Sequence, residues 1–89
     1  MPPPFPGPLP MDDALIAFAG NAIREYLRQR PESADTLEGV HNWWIRWPGM
    51  PESPVVTGIA LERLEASGEV ERIQIGVRML WRRRQVADA

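Results

Sequence analysis

The chemistry that this sequence offers is concentrated in its arginines and its tryptophans. From Arg72 to Ala87 the chain carries five arginines, Arg72, Arg78, Arg82, Arg83 and Arg84, and no acid. Residues 1–71 carry five arginines against eleven acids, so one basic segment closes an otherwise acidic molecule of net charge −2. A guanidinium forks onto phosphate or carboxylate with two parallel N–H donors. The segment therefore reads as an anion patch, for nucleic-acid phosphate or for an acidic protein surface. The competing account is charge pairing within a hairpin. With Ile75-Gly76 as its turn, Glu69 faces Arg82 and Glu71 lies diagonal to Arg78 and Arg82, which leaves Arg83 and Arg84 least compensated.

The second constellation is Trp43-Trp44-x-x-Trp47 with Arg46 beside it. Adjacent helical residues point about 100° apart, so the pair at 43 and 44 cannot both face a core. Trp44 fits the apolar stripe, which leaves Trp43 partly exposed. Exposed aromatics next to an arginine are the material of interface hot spots, and they also stack on single-stranded bases. Trp43, Arg46 and Trp47 are thus candidate partner-binding residues. The alternative is that Trp43 and Trp47 close the 48–54 loop over the core.

Catalytic chemistry has no comparable signal. His41 is the one histidine and there is no cysteine, so no zinc pattern forms. His41 follows Glu38 by three residues, the spacing of a surface ion pair. The carboxylates fall on outer faces and caps, no glycine loop cradles phosphate, and Ser33, Ser53 and Ser67 read as turn, cap and helix-end residues. The expectation is a protein without cofactor, without metal and without enzymatic activity.

These residues need elements to position them, and 89 residues allow one domain. All ten basic residues are arginine, the bias of a GC-rich, bacterial-type coding sequence. No apolar run approaches the roughly 18 residues of a membrane span, and no signal peptide is present, so a cytoplasmic protein is expected. Residues 1–10, MPPPFPGPLP, hold six prolines and read as an extended tail, which the aromatic grooves of proline-recognising domains can take up. The tail is assigned to 1–11 and the domain to 12–84, with 85–89 as a short C-terminal tail.

Within the domain, Leu15, Phe18, Ala19, Ala22, Ile23 and Tyr26 recur at three- and four-residue spacing and predict a helix over 12–30, stopped by Pro31. Asp35 and Glu38 read as a capping box for a second helix from Thr36 to Pro48, with Leu37, Val40, Trp44 and Trp47 on its inner face. Ser53 and Pro54 start a third helix that runs to Ser67, with Val56, Ala60, Leu61 and Leu64 inward and Thr57, Glu62, Arg63 and Glu65 outward. Gly68 suits its left-handed end. The period then changes to two, and two strands pair around Gly76 with Val70, Met79 and Trp81 facing the helices.

Helix, helix, turn, helix, hairpin is the order of a winged helix-turn-helix domain. The residues that carry the likeness are Val56-x3-Ala60-Leu61-x2-Leu64-x3-Gly68-x-Val70, then Gly76 and Leu80-Trp81-Arg82. Asp35-Thr36-Leu37-Glu38-Gly39-Val40 resembles the start of that superfamily's second helix. The resemblance covers about residues 12–84. It implies a mainly α, α+β fold: a three-helix bundle followed by a two-stranded antiparallel wing. It further implies that helix 3, near Thr57 and Arg63, faces bases, and that the wing arginines Arg72, Arg78, Arg82, Arg83 and Arg84 face phosphates. Helix 3 departs from this pattern: from Glu52 to Glu69 it holds four acids against Arg63 alone, the wrong sign for phosphate. The sequence thus favours a small binding module that docks on a protein, with duplex DNA as the alternative partner and a monomer or homodimer as its state.

Overall fold

A computed structural model describes residues 13–85. The proline-rich segment 1–11 and most of the C-terminal tail lie outside the described residues. The first helix, α1 (Asp13–Gln29), carries Asp13 in its first turn and Arg28 in its last, each the favourable sign for the helix dipole. Its buried stripe is Ile16, Ala19, Gly20, Ile23 and Leu27. That is about one residue's rotation from the stripe expected from sequence. Leu15, Ala22 and Tyr26 pack at the flank of the core, and Phe18 is 40% exposed.

After α1, Ala34–Asp35 form a short strand, β1, that the sequence reading did not contain. The second helix, α2, is composite: one α turn, Leu37–Gly39, runs into a π-helical turn, Val40–Trp44. Its cap is Thr36 and not Asp35, because the Thr36 hydroxyl accepts from the Gly39 N–H while Asp35 accepts from the N–H of Thr36. The helix stops at Trp44, short of Pro48, and Ile45 turns to an extended conformation and is buried. Trp47 therefore does not lie on this helix.

The third helix, α3 (Pro54–Ala66), begins as the sequence indicates, with the Ser53 hydroxyl accepting from the Val55 N–H and proline at the first position. Gly68 follows its end with φ of 81°, a conformation that glycine adopts without strain. Two strands complete the fold, β2 (Val70–Ile75) and β3 (Arg78–Arg83). They pair antiparallel from Val70 opposite Arg83 to Ile75 opposite Arg78. The turn is therefore Gly76-Val77, with positive φ at Gly76 alone, the pattern of a type II′ hairpin. β1 adds to the free edge of β3, giving one antiparallel sheet in the order β1-β3-β2.

The result is a mixed α+β fold of three helices and three antiparallel strands. Its core is the α1 stripe, Val40, Trp44 and Ile45, the α3 stripe Val56, Ala60, Leu61 and Leu64, and Val70 and Trp81 from the sheet. Met79 does not join this core, although it shares the sheet face of Trp81. It sits next to the turn and is 42% exposed, as are its neighbours Ile75 and Val77 to a greater degree.

Candidate functional site

The π turn decides how the aromatic residues are shared between core and surface. A π turn holds more residues per turn than an α turn and rotates the residues after it onto different faces. Val40, His41 and Trp44 point inward, and Trp43 is left 76% exposed. His41 is not the surface residue that its spacing from Glu38 suggested. It is buried, and its Nδ1 lies 2.7 Å from the hydroxyl of Thr57, which is also buried. Thr57 accordingly does not face outward on helix 3. It precedes Ala60 by three residues and Leu61 by four, so it belongs to the inner stripe, and the imidazole supplies the partner its hydroxyl needs there.

Trp47 folds back over the same turn. Its indole N–H donates to the His41 carbonyl at 2.9 Å, one of the carbonyls left open where a helix ends. Its ring meets Phe18 at 5.7 Å and His41 at 5.2 Å between centroids. Tyr26 stacks on Trp44 at 4.7 Å with rings 10° from parallel, and the Arg30 guanidinium lies over the Tyr26 ring, 5.1 Å from its centroid. Between α1 and the π turn these side chains line an open groove of about 730 Å³, walled by Phe18, Tyr26, Trp43 and Trp44 and rimmed by Arg30 and Arg46. Phe18 also lines a second hollow, of about 210 Å³, with Leu15, Trp47 and Met50.

The arginines are dispersed by their partners. Arg72 makes a two-bond fork to Glu65 of α3, at 2.9 and 2.8 Å, and covers the Trp81 ring at 4.6 Å. That fork lowers the pKa of Glu65 and raises that of Arg72. Arg82 bonds Glu71, directly opposite it across the strands, at 2.7 Å. The expected Glu69–Arg82 pairing does not form, because the turn lies one residue later than the sequence suggested. Glu69 instead holds Arg24 of α1, with bonds of 2.6 and 2.9 Å. The Arg24 fork, aided by the Ser67 hydroxyl, brings the Glu69 carboxyl down to about 2. Arg63 reaches Asp13 at 3.3 Å. Arg78, Arg83 and Arg84 form no ion pair among the described residues.

Of the residues singled out in the sequence, Trp43 and Arg46 meet in one groove, and Trp47 lies next to it behind Phe18. Thr57 is sealed inside, and Arg63, Arg72 and Arg82 are engaged by acids of the same chain. Phe18, Tyr26 and Arg30 complete the groove and were not singled out. A signal for them existed: positions 18, 22 and 26 share one face of a helix, and Arg30 continues it by one further turn. Among the described residues no group of histidines, cysteines and acids has the arrangement of a metal site, and no helix is long and apolar enough to cross a membrane. No protein-family model, curated protein or solved structure matches the chain.

Proposed function

We propose that this chain is a cytoplasmic, non-enzymatic winged-helix module that docks on a protein partner through the groove between α1 and the π turn. The element order and the hairpin that follows α3 support the winged-helix reading. The observation that carries the docking reading is Trp43, 76% exposed at the mouth of a groove walled by Phe18, Tyr26 and Trp44 and edged by Arg30, Arg46, Gln29 and Glu25. Large exposed aromatics beside arginine are costly to leave in water and contribute most when a partner desolvates them.

The DNA reading loses four of its seven residues. Thr57 is not available to bases, Arg63 faces Asp13, and Arg72 and Arg82 are neutralised by carboxylates. Arg78, Arg83 and Arg84 keep it as the second reading, and Arg83 shares a shallow hollow with Arg30, Glu32 and Ser33.

The test uses a photo-crosslinking residue at position 43 in the full chain, read in cells. One defined protein adduct that is lost on Arg46→Ala and Tyr26→Ala supports docking. Duplex DNA titrated at low salt is the opposing arm. Binding that weakens steeply with salt, with a slope reduced by Arg83→Ala and Arg84→Ala, overturns the docking reading in favour of a DNA binder.

A further inference from the structure

The two hollows that meet at Phe18 form one track of aromatic side chains with a polar edge along α1. It begins at the N-terminal end of α1, among Leu15, Trp47 and Met50, crosses Phe18, and continues along α1 to Tyr26 and Trp43. Phe18, Trp43 and Met50, three of the large apolar side chains that the described residues expose, stand along it. The track starts where the chain enters α1, and the residues that precede that point are MPPPFPGPLP followed by Met11 and Asp12.

From these facts we infer that the track is the docking site for a proline-rich segment, and that residues 1–10 of this same chain occupy it. This rests on the docking reading of the groove and names its first occupant.

The chemistry of the two surfaces agrees. A proline-rich segment has few N–H donors; it offers carbonyl acceptors and flat apolar rings. The track offers the complement, aromatic faces with donors at the rim, and the one carboxylate that lines it beside them, Glu25, is already held by Arg28. Arg30, Arg46, the Gln29 amide and, by its exposure, the Trp43 indole N–H can all donate to carbonyls. Segment 1–10 has no charged side chain, so burying it under two guanidiniums leaves no carboxylate or ammonium side chain unpaired.

The lengths also agree. From Phe18 to Gln29 the helix rises roughly 16 Å at about 1.5 Å per residue. An extended proline-rich strand covers that with about five residues at about 3.1 Å each. Reaching back from Asp13 to Phe18 takes two or three more, and residues 1–12 supply that length with a few left to turn. Tethering then gives the segment an effective concentration near millimolar, enough to hold a weak ligand in place. Partners would gain the groove by displacing the segment, and those with proline-rich segments of their own are the class that fits it.

The experiment uses the full chain, which has no cysteine, so that Gly7→Cys accepts a single nitroxide label without loss of a proline. Paramagnetic broadening is read on the Trp43 indole N–H and the Gln29 side-chain amide. The Trp81 indole, which lines neither hollow, is the comparison. The expected result is loss of most of the Trp43 and Gln29 signal with much less at Trp81, insensitive to added salt. The selective loss disappears when Pro3, Pro4, Pro6 and Pro8 are replaced by serine. Equal broadening at Trp43 and Trp81, or selective broadening that survives the serine substitutions, overturns the inference. So does broadening of isotope-labelled chain by separately spin-labelled chain, which makes a second copy the occupant. If the segment stays off the track while a crosslinker at position 43 still captures its partner, the inference fails and the docking reading stands. If the segment docks and no partner is captured, the docking reading is what fails.

Discussion

Replacing Thr57 by valine removes one hydroxyl and keeps the shape of the side chain. If Thr57 faced solvent, as a base-contacting residue of helix 3 would, the change would move stability by no more than about 0.5 kcal/mol. In the structure Thr57 is fully buried, and its hydroxyl is the side-chain partner of the buried His41 Nδ1 at 2.7 Å. Stranding a buried polar group costs about 1–3 kcal/mol. The methyl gained in place of the hydroxyl returns no more than about 0.8 kcal/mol. The net expectation is a loss of about 0.2–2 kcal/mol, centred near 1 kcal/mol, which at the centre is a fall of about 5 °C in Tm for a domain this small. Thermal unfolding followed by circular dichroism reads it. The same substitution in a His41→Leu background should cost clearly less, because no imidazole is left unpaired and the coupling of the two residues has gone. A Thr57→Val protein with wild-type Tm, or a cost unchanged by His41→Leu, refutes the buried pair and restores Thr57 to the outer face of α3.

Further expectations rest on single contacts. Glu69 titrates at about 2 in the folded protein against 4.5 for an unperturbed glutamate, so the stability its pairing contributes is present above about pH 4.5 and is lost as the pH falls toward 2. Tm measured across that window should fall more steeply for the wild type than for Glu69→Gln, and parallel curves would show that Arg24 and Glu69 are not paired in solution. Gly20 and Gly39 both sit in helical turns, where alanine is ordinarily favoured by about 1 kcal/mol. A methyl at Gly20 meets no other part of the fold, whereas one at Gly39 runs into the Asp35 carboxylate. Gly20→Ala should therefore raise Tm more than Gly39→Ala, which must displace the Asp35 carboxylate from the Thr36 N–H, and equal gains at both sites would contradict that contact. Trp43→Ala should leave denaturant stability within about 0.5 kcal/mol of wild type, since its ring is largely solvated. A larger loss would place Trp43 in the core and remove it from the groove.

Much of the framework is written in local sequence. Ser53-Pro54 and Gly68 bound α3, and both act within a residue or two of where they stand. The apolar spacing of Val56, Ala60, Leu61 and Leu64 names the inner face of α3, and the change of period after Gly68 marks the strands. That Trp43 and Trp44 cannot both face the core follows from helical geometry alone, and Trp43 is the one left exposed. The π turn, by contrast, does not announce itself. It depends on His41 finding Thr57, sixteen residues away, and on Trp47 returning to the His41 carbonyl. The two-residue strand β1 exists because β3 offers it an edge, and Ala34-Asp35 carries no strand signal of its own.

The arginines show the same division. The sequence by itself determined that a basic segment follows an acidic body and that Trp43 and Trp44 cannot both face the core. Only the tertiary structure decided which arginines remain free. A shift of the hairpin turn by one residue sets Glu71, and not Glu69, opposite Arg82, and the helix–sheet packing hands Glu65 to Arg72 and Glu69 to Arg24. Ion pairing acts over a few ångströms and depends on neighbours in space, and a charge count along the chain contains no such distances. The aromatic groove has the same origin: Phe18 and Tyr26 come from one helix and Trp43 and Trp44 from another, and only packing α1 against the π turn brings them to one surface.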